Sequence, residues 1–550
     1  MSPLPTRTGT APMVALILAV LSYSLVQTML VPTIGVLQRE LHTDATGVSW
    51  AVVSATLLSS AVLTPLLSRL GDSHGKRRML LITLVVHLLG TLGAATAWNV
   101  ASLIAFRAVQ GVSLALLPLA LGLVREVLPP RRVASGLGLV SGLVAGAAGA
   151  ALLGGGLIVD HTSWRWLFVA GGVLIAAAIG LVVRYVPESP RTAGEPLDAP
   201  GAVLLGLALI CVLLALTEGP GWGWGSGGVL GLFAGCVLLS AVFLWWERRA
   251  AHPLIAPRLL LARPLLVAHV GAFLLGTTQF VFYILLPKLA ELPVGLPAAD
   301  ARLIDYGFGL SVTVAGLILL PGTLFGLPAS IGAGRVEARW GPRAPLALGL
   351  GISAAGGALL TRFHADAVQV AGCYAVIGTG FGFAMAALPK LVHNLTTPDQ
   401  AATANGINTV ARTVGGAVGS QLAAAILASR AIGDTALPAA SGFTAAFWTA
   451  TGVALAGVLL VVTGPGRRTG GGRHPDTGTG NGRHSDAGTG NGQHSDAGTG
   501  NGRCLVARRL TDEPVTASYG EGKTGGEGKT GGEGKTARKE KTAGLSDGAG

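Results

Sequence analysis

The sequence predicts an all-α integral membrane protein, and three observations carry that prediction. Half of the 550 residues are hydrophobic and only 12% are charged, with 83 glycines and a mean hydropathy of +0.60. Apolar runs of about 20 residues, enough to cross a hydrocarbon core as helix, succeed one another from Met13 to Gly464. A polar knot, S-R-L-G-D-S-H-G-K-R-R at Ser68 to Arg78, sits between two such runs and returns 266 positions later as G-R-V-E-A-R-W-G-P-R at Gly334 to Arg343. Backbone polar groups must be satisfied within each segment in lipid, so the runs are helices. The many glycines and alanines let such helices approach closely where lipid gives no hydrophobic drive to associate.

Taken in order, the apolar runs define fourteen spans. Six lie near 13–35, 48–68, 79–98, 101–124, 133–158 and 165–186. Two follow near 200–217 and 228–246, and six more near 264–287, 308–331, 344–361, 367–390, 404–429 and 442–463. The distance between the two knots requires two extra helices between two six-helix halves. The expected organisation is a cytoplasmic N-terminus at 1–12 and a first half at 13–186. A linker with two additional spans at 187–263, a second half at 264–464 and a tail at 465–550 complete it. The polar stretch before the first run is short and no cleavage site follows it, so a retained first span is expected.

Loops on the cytoplasmic side of a membrane carry an excess of Lys and Arg. One set of alternate loops holds seventeen, including both knots, while the other holds only Arg39, Arg165, Lys288, Arg302, Arg362 and Arg430. Both termini are therefore expected in the cytoplasm. The net charge of +12 is dispersed over loops rather than gathered on one face, which argues against nucleic acid. Trp50, Trp98, Trp164, Trp166, Trp222 and Trp224 are expected at the outer interface, where amphipathic rings lie. The four cysteines have no disulfide or metal-ligand spacing. The outer loop from Glu291 to Gly307, with Asp300, Arg302 and Asp305, reads as a solvated connector in preference to a part of an extracellular gate.

After Gly464 come 86 residues of near-copies of G-T-G-N-G-R-H-S-D-A and G-G-E-G-K-T. Low hydrophobicity and high glycine content predict disorder. A phosphate loop needs a glycine five positions before each G-K-T, and those positions hold Ala517, Lys523 and Lys529. His474, His484 and His494 follow the repeat and are better explained by it than by a metal site.

Laying one knot on the other pairs Arg69 with Arg335, Leu70 with Val336, Gly75 with Gly341 and Arg77 with Arg343. The first copy resembles the loop signature G-x-L-a-D-x-x-G-r-r of the major facilitator superfamily, with Leu70, Asp72, Gly75 and the basic trio matching and Ser68 in place of the first glycine. The resemblance implies a major facilitator fold and makes Asp72, Gly75, Arg77, Arg69, Arg335, Gly341 and Arg343 candidates for gating, with the Asp72 carboxylate helping to lock the cytoplasmic side.

Arg107, in L-I-A-F-R-A-V-Q-G, lies within an apolar span, where an uncompensated charge costs roughly 2.5–3.5 kcal/mol. The stretch resembles the superfamily's fourth-helix motif, which implies that Arg107 faces the central cavity with Gln110 beside it. The bland alternative is an arginine near the outer face bonded to carbonyls. The fifth span resembles the antiporter motif g-x-x-x-G-P-x-x-G-G, but Ala150 and Ala151 stand for its Gly-Pro, so tight packing explains the glycines equally well. W-R-W-L-F at Trp164 to Phe168 resembles the opening of the sixth helix of fourteen-span drug:proton antiporters (DHA2, EmrB/QacA type). In the thirteenth span Asn405, Asn408 and Arg412 share a face. They resemble an exporter pattern that places Asn408 and Arg412 on the transport path, a cytoplasmic gate contact being the rival for Arg412.

In that family an acidic residue commonly stands in the first span, nine positions before its proline; here the place before Pro32 holds Tyr23. His87, His269, Glu218 and Asp160, with Glu291, remain as candidate proton carriers. The expected function is export of amphipathic small molecules by alternating access, coupled to protons, in a bacterial inner membrane. The alternatives are a dedicated exporter of one endogenous metabolite and a non-transporting scaffold or sensor. No cofactor, metal or nucleic acid is implied, an enzyme is disfavoured because no cluster of His or acids lies at membrane depth, and the sequence does not fix the oligomeric state.

Overall fold

The computed structural model describes residues 10–30, 33–43, 47, 50–189, 198–292, 306–430, 432 and 437–464. Among the described residues, fourteen helices are long and apolar enough to span a membrane. The first six are α1 (Thr10–Met29), α2 (Ala55–His74, entered by a π-helical turn at Trp50–Ser54), α3 (Lys76–Ala95), α4 (100–127), α5 (Pro130–His161) and α6 (Arg165–Tyr185). The extra pair is α7 (Ala199–Trp222) and α8 (Gly227–Glu247). The last six are α9 (Arg263–Glu291), α10 (Val312–Trp340), α11 (Ala344–Arg362), α12 (Ala367–Leu395), α13 (Ala401–Ala428) and α14 (Ala440–Thr463).

Packing repeats between the two sets of six. Helix α1 lies on α5 and α6 as α9 lies on α13 and α14, and each set has its own buried apolar cluster. The sets meet along two seams, α2 on α13 and α5 on α10, while the α7–α8 hairpin leans on α2 and α13. Glycines allow the second seam: a Cβ at Gly142 would lie 1.9 Å from Ser330 Oγ, and one at Gly156 3.0 Å from Thr313 Cα. Val237 and Leu238 on α8 are exposed, as apolar side chains facing lipid are.

The knot is not the loop that its polarity predicted. Helix runs through it on both sides of a single turning residue, Gly75, whose φ of +102° suits only glycine. Gly341 repeats this at φ +90°. Several helices are longer than the apolar runs because polar residues continue them beyond the hydrocarbon, as at Lys390 to Leu395 in α12. The first span instead ends at Met29, with a short helix at Ile34–Glu40 after it; Pro32 lies outside the described residues. Within α4, Gly111–Ala115 tightens to a 3₁₀ turn where Gly111 presses on Ser59 and Ser60 of α2.

Trp164 does not present its ring to lipid. It is buried because its ring packs edge-on against Phe168 at 6.0 Å and its indole N–H donates to Glu40 Oε2 at 2.8 Å, leaving no polar atom wanting water. Trp98, Trp166, Trp222 and Trp224 are exposed. Asp300, Arg302, Asp305 and the tail fall outside the described residues.

Candidate functional site

The knot is a joint between the two sets of helices. Helix α13 starts at Ala401 after Gln400, whose side chain makes no cap. A capping side chain ordinarily accepts from the second and third N–H groups of its helix. Asp72, from α2, does this from across the seam: Oδ1 accepts from Ala402 N at 3.2 Å, and Oδ2 from Thr403 N at 2.8 Å and Thr403 Oγ1 at 2.9 Å. The anion therefore meets the positive end of the α13 dipole. Lys76 balances it at 3.3 Å and reaches Glu126 of α4 at 2.9 Å, in a space kept open by Gly122. Ser68, where the signature has glycine, packs against Gly406 of α13.

The remaining knot residues do other things. Arg77 pairs with Glu188 at 2.8 Å and donates to Val183 O at 3.0 Å, fastening α3 to the end of α6. Arg69 lines a polar hollow of ≈ 220 Å³ at this end with Arg258, His252, Asp399 and Thr403. In the second copy, exposed Ala338 stands where Asp72 would, so there is no matching lock. Arg343 donates to Gly464 O at 2.6 Å, Glu337 meets Lys390 at 3.6 Å, and Arg335 is exposed with no hydrogen bond or ion pair among the described residues.

Between the sets lies a cavity of ≈ 90 Å³. Helix α1 contributes Tyr23 and Gln27 to it, α9 contributes Gln279, Phe280 and Tyr283, and α13 contributes Arg412 and Thr413. Backbone contact fixes the arginine's position: a Cβ at Gly276 of α9 would fall 2.1 Å from Arg412 O, and Thr277 Oγ1 donates to Gly415 O at 3.0 Å. Arg412 also borders a smaller space of ≈ 20 Å³ toward the knot, lined by Asn405 and Asn408. Asn408 itself donates to Ala268 O at 3.1 Å, tying α13 to α9. A drug-sized ligand needs about 300 Å³ or more, so this is a closed conformation.

Arg107 does not face that cavity. Its side chain is 1% exposed, with Nε donating to Ala51 O at 3.2 Å, Nη2 to Val52 O at 2.6 Å and Nη1 to Gln110 Oε1 at 2.7 Å. Gln110 passes the chain on to Thr91 of α3 at 3.0 Å. The π-helical turn at the head of α2 offers carbonyls that a guanidinium can collect, so the motif is satisfied inside one set of helices.

The candidate proton carriers are scattered. Buried His87 has neither ring nitrogen partnered. His269 Nε2 meets Leu259 O at 3.0 Å, Glu218 accepts from Trp50 Nε1 at 2.8 Å, and Asp160 accepts from Thr313 Oγ1 at 2.5 Å across the α5–α10 seam. Glu291 is exposed. None of them lines the central cavity.

The profile of the Major Facilitator Superfamily matches residues 16–420 and, in a second alignment, 268–485. The chain belongs to the major facilitator superfamily. It is 30% identical to the tetracenomycin C resistance and export protein of Streptomyces glaucescens, over 72% of each chain. Identity to the puromycin resistance protein of Streptomyces alboniger is 31%, over 77% of this chain and 84% of that one. Multidrug resistance protein 3 of Bacillus subtilis is 27% identical, over 68% and 70%. Among solved structures, a human organic anion transporter superposes with a TM-score of 0.56 at 15% identity, covering 83% of this chain and all of that one, which shows the shared fold. This major facilitator protein is a multi-pass transmembrane transporter.

Sequence reasoning missed several residues of these sites. Thr403 and Glu126 gave no signal because their partners are far along the chain. Gln279 and Tyr283 lie on α9 as a polar pair four apart, a signal the sequence does carry.

Proposed function

We propose that this transporter exports amphipathic small molecules of the drug and antibiotic kind by alternating access, driven by a proton gradient and without chemistry on the substrate. The observation that carries the reading is the bond of Asp72 to the N-terminus of α13. A buried anion held by two backbone N–H groups and a hydroxyl is strong when formed and gone once the helices part. Such a contact suits a gate with two states. The halves at 13–186 and 264–464 are the moving bodies, joined by the 187–263 hairpin, with both termini on the cytoplasmic side of the cell membrane, where the knots lie.

In this reading the cavity around Arg412 and Tyr23 is the substrate site, with Asn408 on the path toward the knot. Arg107 and Gln110 hold α2, α3 and α4 as one body rather than touching substrate. The resistance and export functions named for the relatives support the direction of transport. The test is dye and antibiotic accumulation in cells, with and without a protonophore, backed by flux in proteoliposomes. Export that ignores an imposed pH gradient would remove the proton, and no flux of any compound would reduce the chain to a scaffold.

A further inference from the structure

We infer that the central cavity selects substrates carrying an acidic group, a carboxylate or an ionised phenol on an aromatic scaffold, and refuses permanent cations. The inference rests on the reading of this cavity as the substrate site.

The lining is one-sided in charge. Arg412 brings five donors in a planar fork and makes no hydrogen bond or ion pair among the described residues. No carboxylate lines the cavity with it. Two further polar groups are left wanting. The Tyr23 hydroxyl, on a side chain 97% buried by its 3% exposure, has no partner, and neither does Gln279 Oε1 on a residue 4% exposed. The other end of the Gln279 amide is committed, Nε2 donating to Tyr283 Oη at 2.8 Å. Buried polar groups without partners are rare because each forfeits hydrogen bonds it had in water. Here two such groups and a half-buried arginine line one small cavity, and they come from α1, α9 and α13 on both sides of the molecule.

One ligand chemistry satisfies them together. An anionic oxygen pair can take the guanidinium fork and the Tyr23 O–H, while a neighbouring hydroxyl or amide N–H on the ligand donates to Gln279 Oε1. The Phe280 ring, held 5.8 Å from that of Tyr283 and backed by Gly416, offers a face for an aromatic body. A cation would meet Arg412 with nothing opposite to offset it. The ≈ 90 Å³ present in the closed state admits the acidic head and leaves the body to be accommodated as the halves part.

The test uses the purified full chain with two xanthene dyes of one scaffold, anionic fluorescein and cationic rhodamine 6G. Binding is read as ligand-dependent thermal stabilisation in detergent, and flux in proteoliposomes. Wild type should bind and move fluorescein at least about tenfold better than rhodamine 6G. Arg412→Gln should lose that preference, Arg412→Lys should restore most of it, and Tyr23→Phe should weaken fluorescein alone. Equal or better binding of the cation by wild type, or an undiminished preference in Arg412→Gln, overturns the inference. Fluorescein binding that depends on Arg412 without flux of either dye upholds the site and removes the exporter reading. Fluorescein flux unaffected by Arg412→Gln keeps the exporter and removes the site.

Discussion

Replacing Asp72 with Asn should unlatch the knot end without unfolding the protein. The carboxylate accepts from Ala402 N, Thr403 N and Thr403 Oγ1, and faces Lys76 at 3.3 Å. An amide of the same shape has one oxygen for these donors and turns its NH₂ toward an N–H that also donates. Hydrogen bonds to a charged group contribute about 1.5–3 kcal/mol each. Losing one bond outright and the charge assistance of the others should weaken the closed knot end by about 3 kcal/mol, roughly a hundredfold in the closed-to-open ratio. Lys76 keeps Glu126 and Arg125 keeps the carbonyl of Thr397, so insertion should be normal. The assay is double electron–electron resonance between spin labels at Arg78 and Asp399, exposed positions on either side of the joint, in a background with the native cysteines replaced. Asp72→Asn should gain a longer-distance population and lose turnover. A double-mutant cycle with Thr403→Ala should give a coupling of about 1 kcal/mol or more. An unchanged distance distribution together with unchanged turnover at equal expression would refute the reasoning.

Gly142→Val should block assembly of the α5–α10 seam, because even a Cβ there meets Ser330 at 1.9 Å, and Ser330→Gly should restore part of the folded yield seen by size-exclusion chromatography. Arg107→Lys should lower stability by about 2–4 kcal/mol, since an ammonium cannot serve Ala51 O, Val52 O and Gln110 in one plane. This is read as a lowered Tm in detergent, with turnover per folded molecule falling far less. Reporter fusions after Gly464 and within Glu218 to Gly227 should give opposite compartments, inside and outside. Truncation after Arg468 should leave export per molecule within about twofold, because the tail's 13 basic and 10 acidic residues nearly cancel and it lacks any apolar run long enough to pack.

Much of the fold was legible because it is written in composition over long windows. Lipid demands about 20 apolar residues per crossing, so fourteen runs announced fourteen helices, and their ends were missed where helix continues into polar sequence. Trp164 and Arg107 show the limit. Each is amphipathic, and whether such a side chain ends at an interface, in a cavity or in a packed core depends on a partner elsewhere in the chain. Glu40 decides the first case and the carbonyls of Ala51 and Val52 the second.

The sequence points to a lock at Asp72 without naming the helix whose N-terminus it holds, and the reason is physical. A search for an opposite charge finds Lys76 on the next helix, within the same set. What crosses the seam is instead the N-terminus of α13, 330 residues away, whose donors are mostly backbone N–H groups that every residue but proline carries. Gln400 makes no cap of its own, and that vacancy is what Asp72 fills. The second knot keeps the turning glycine but has Ala338 where the acid would be, and its seam is closed by glycines of α5 against α10. Pseudo-symmetry in the backbone thus carries asymmetry in the bonds. One seam is latched at its knot end by charge-assisted contacts that break together, the other is held mainly by close packing along its length. A change of charge at residue 72 should therefore shift the balance of states, whereas a change of volume at residue 142 should prevent the states from forming.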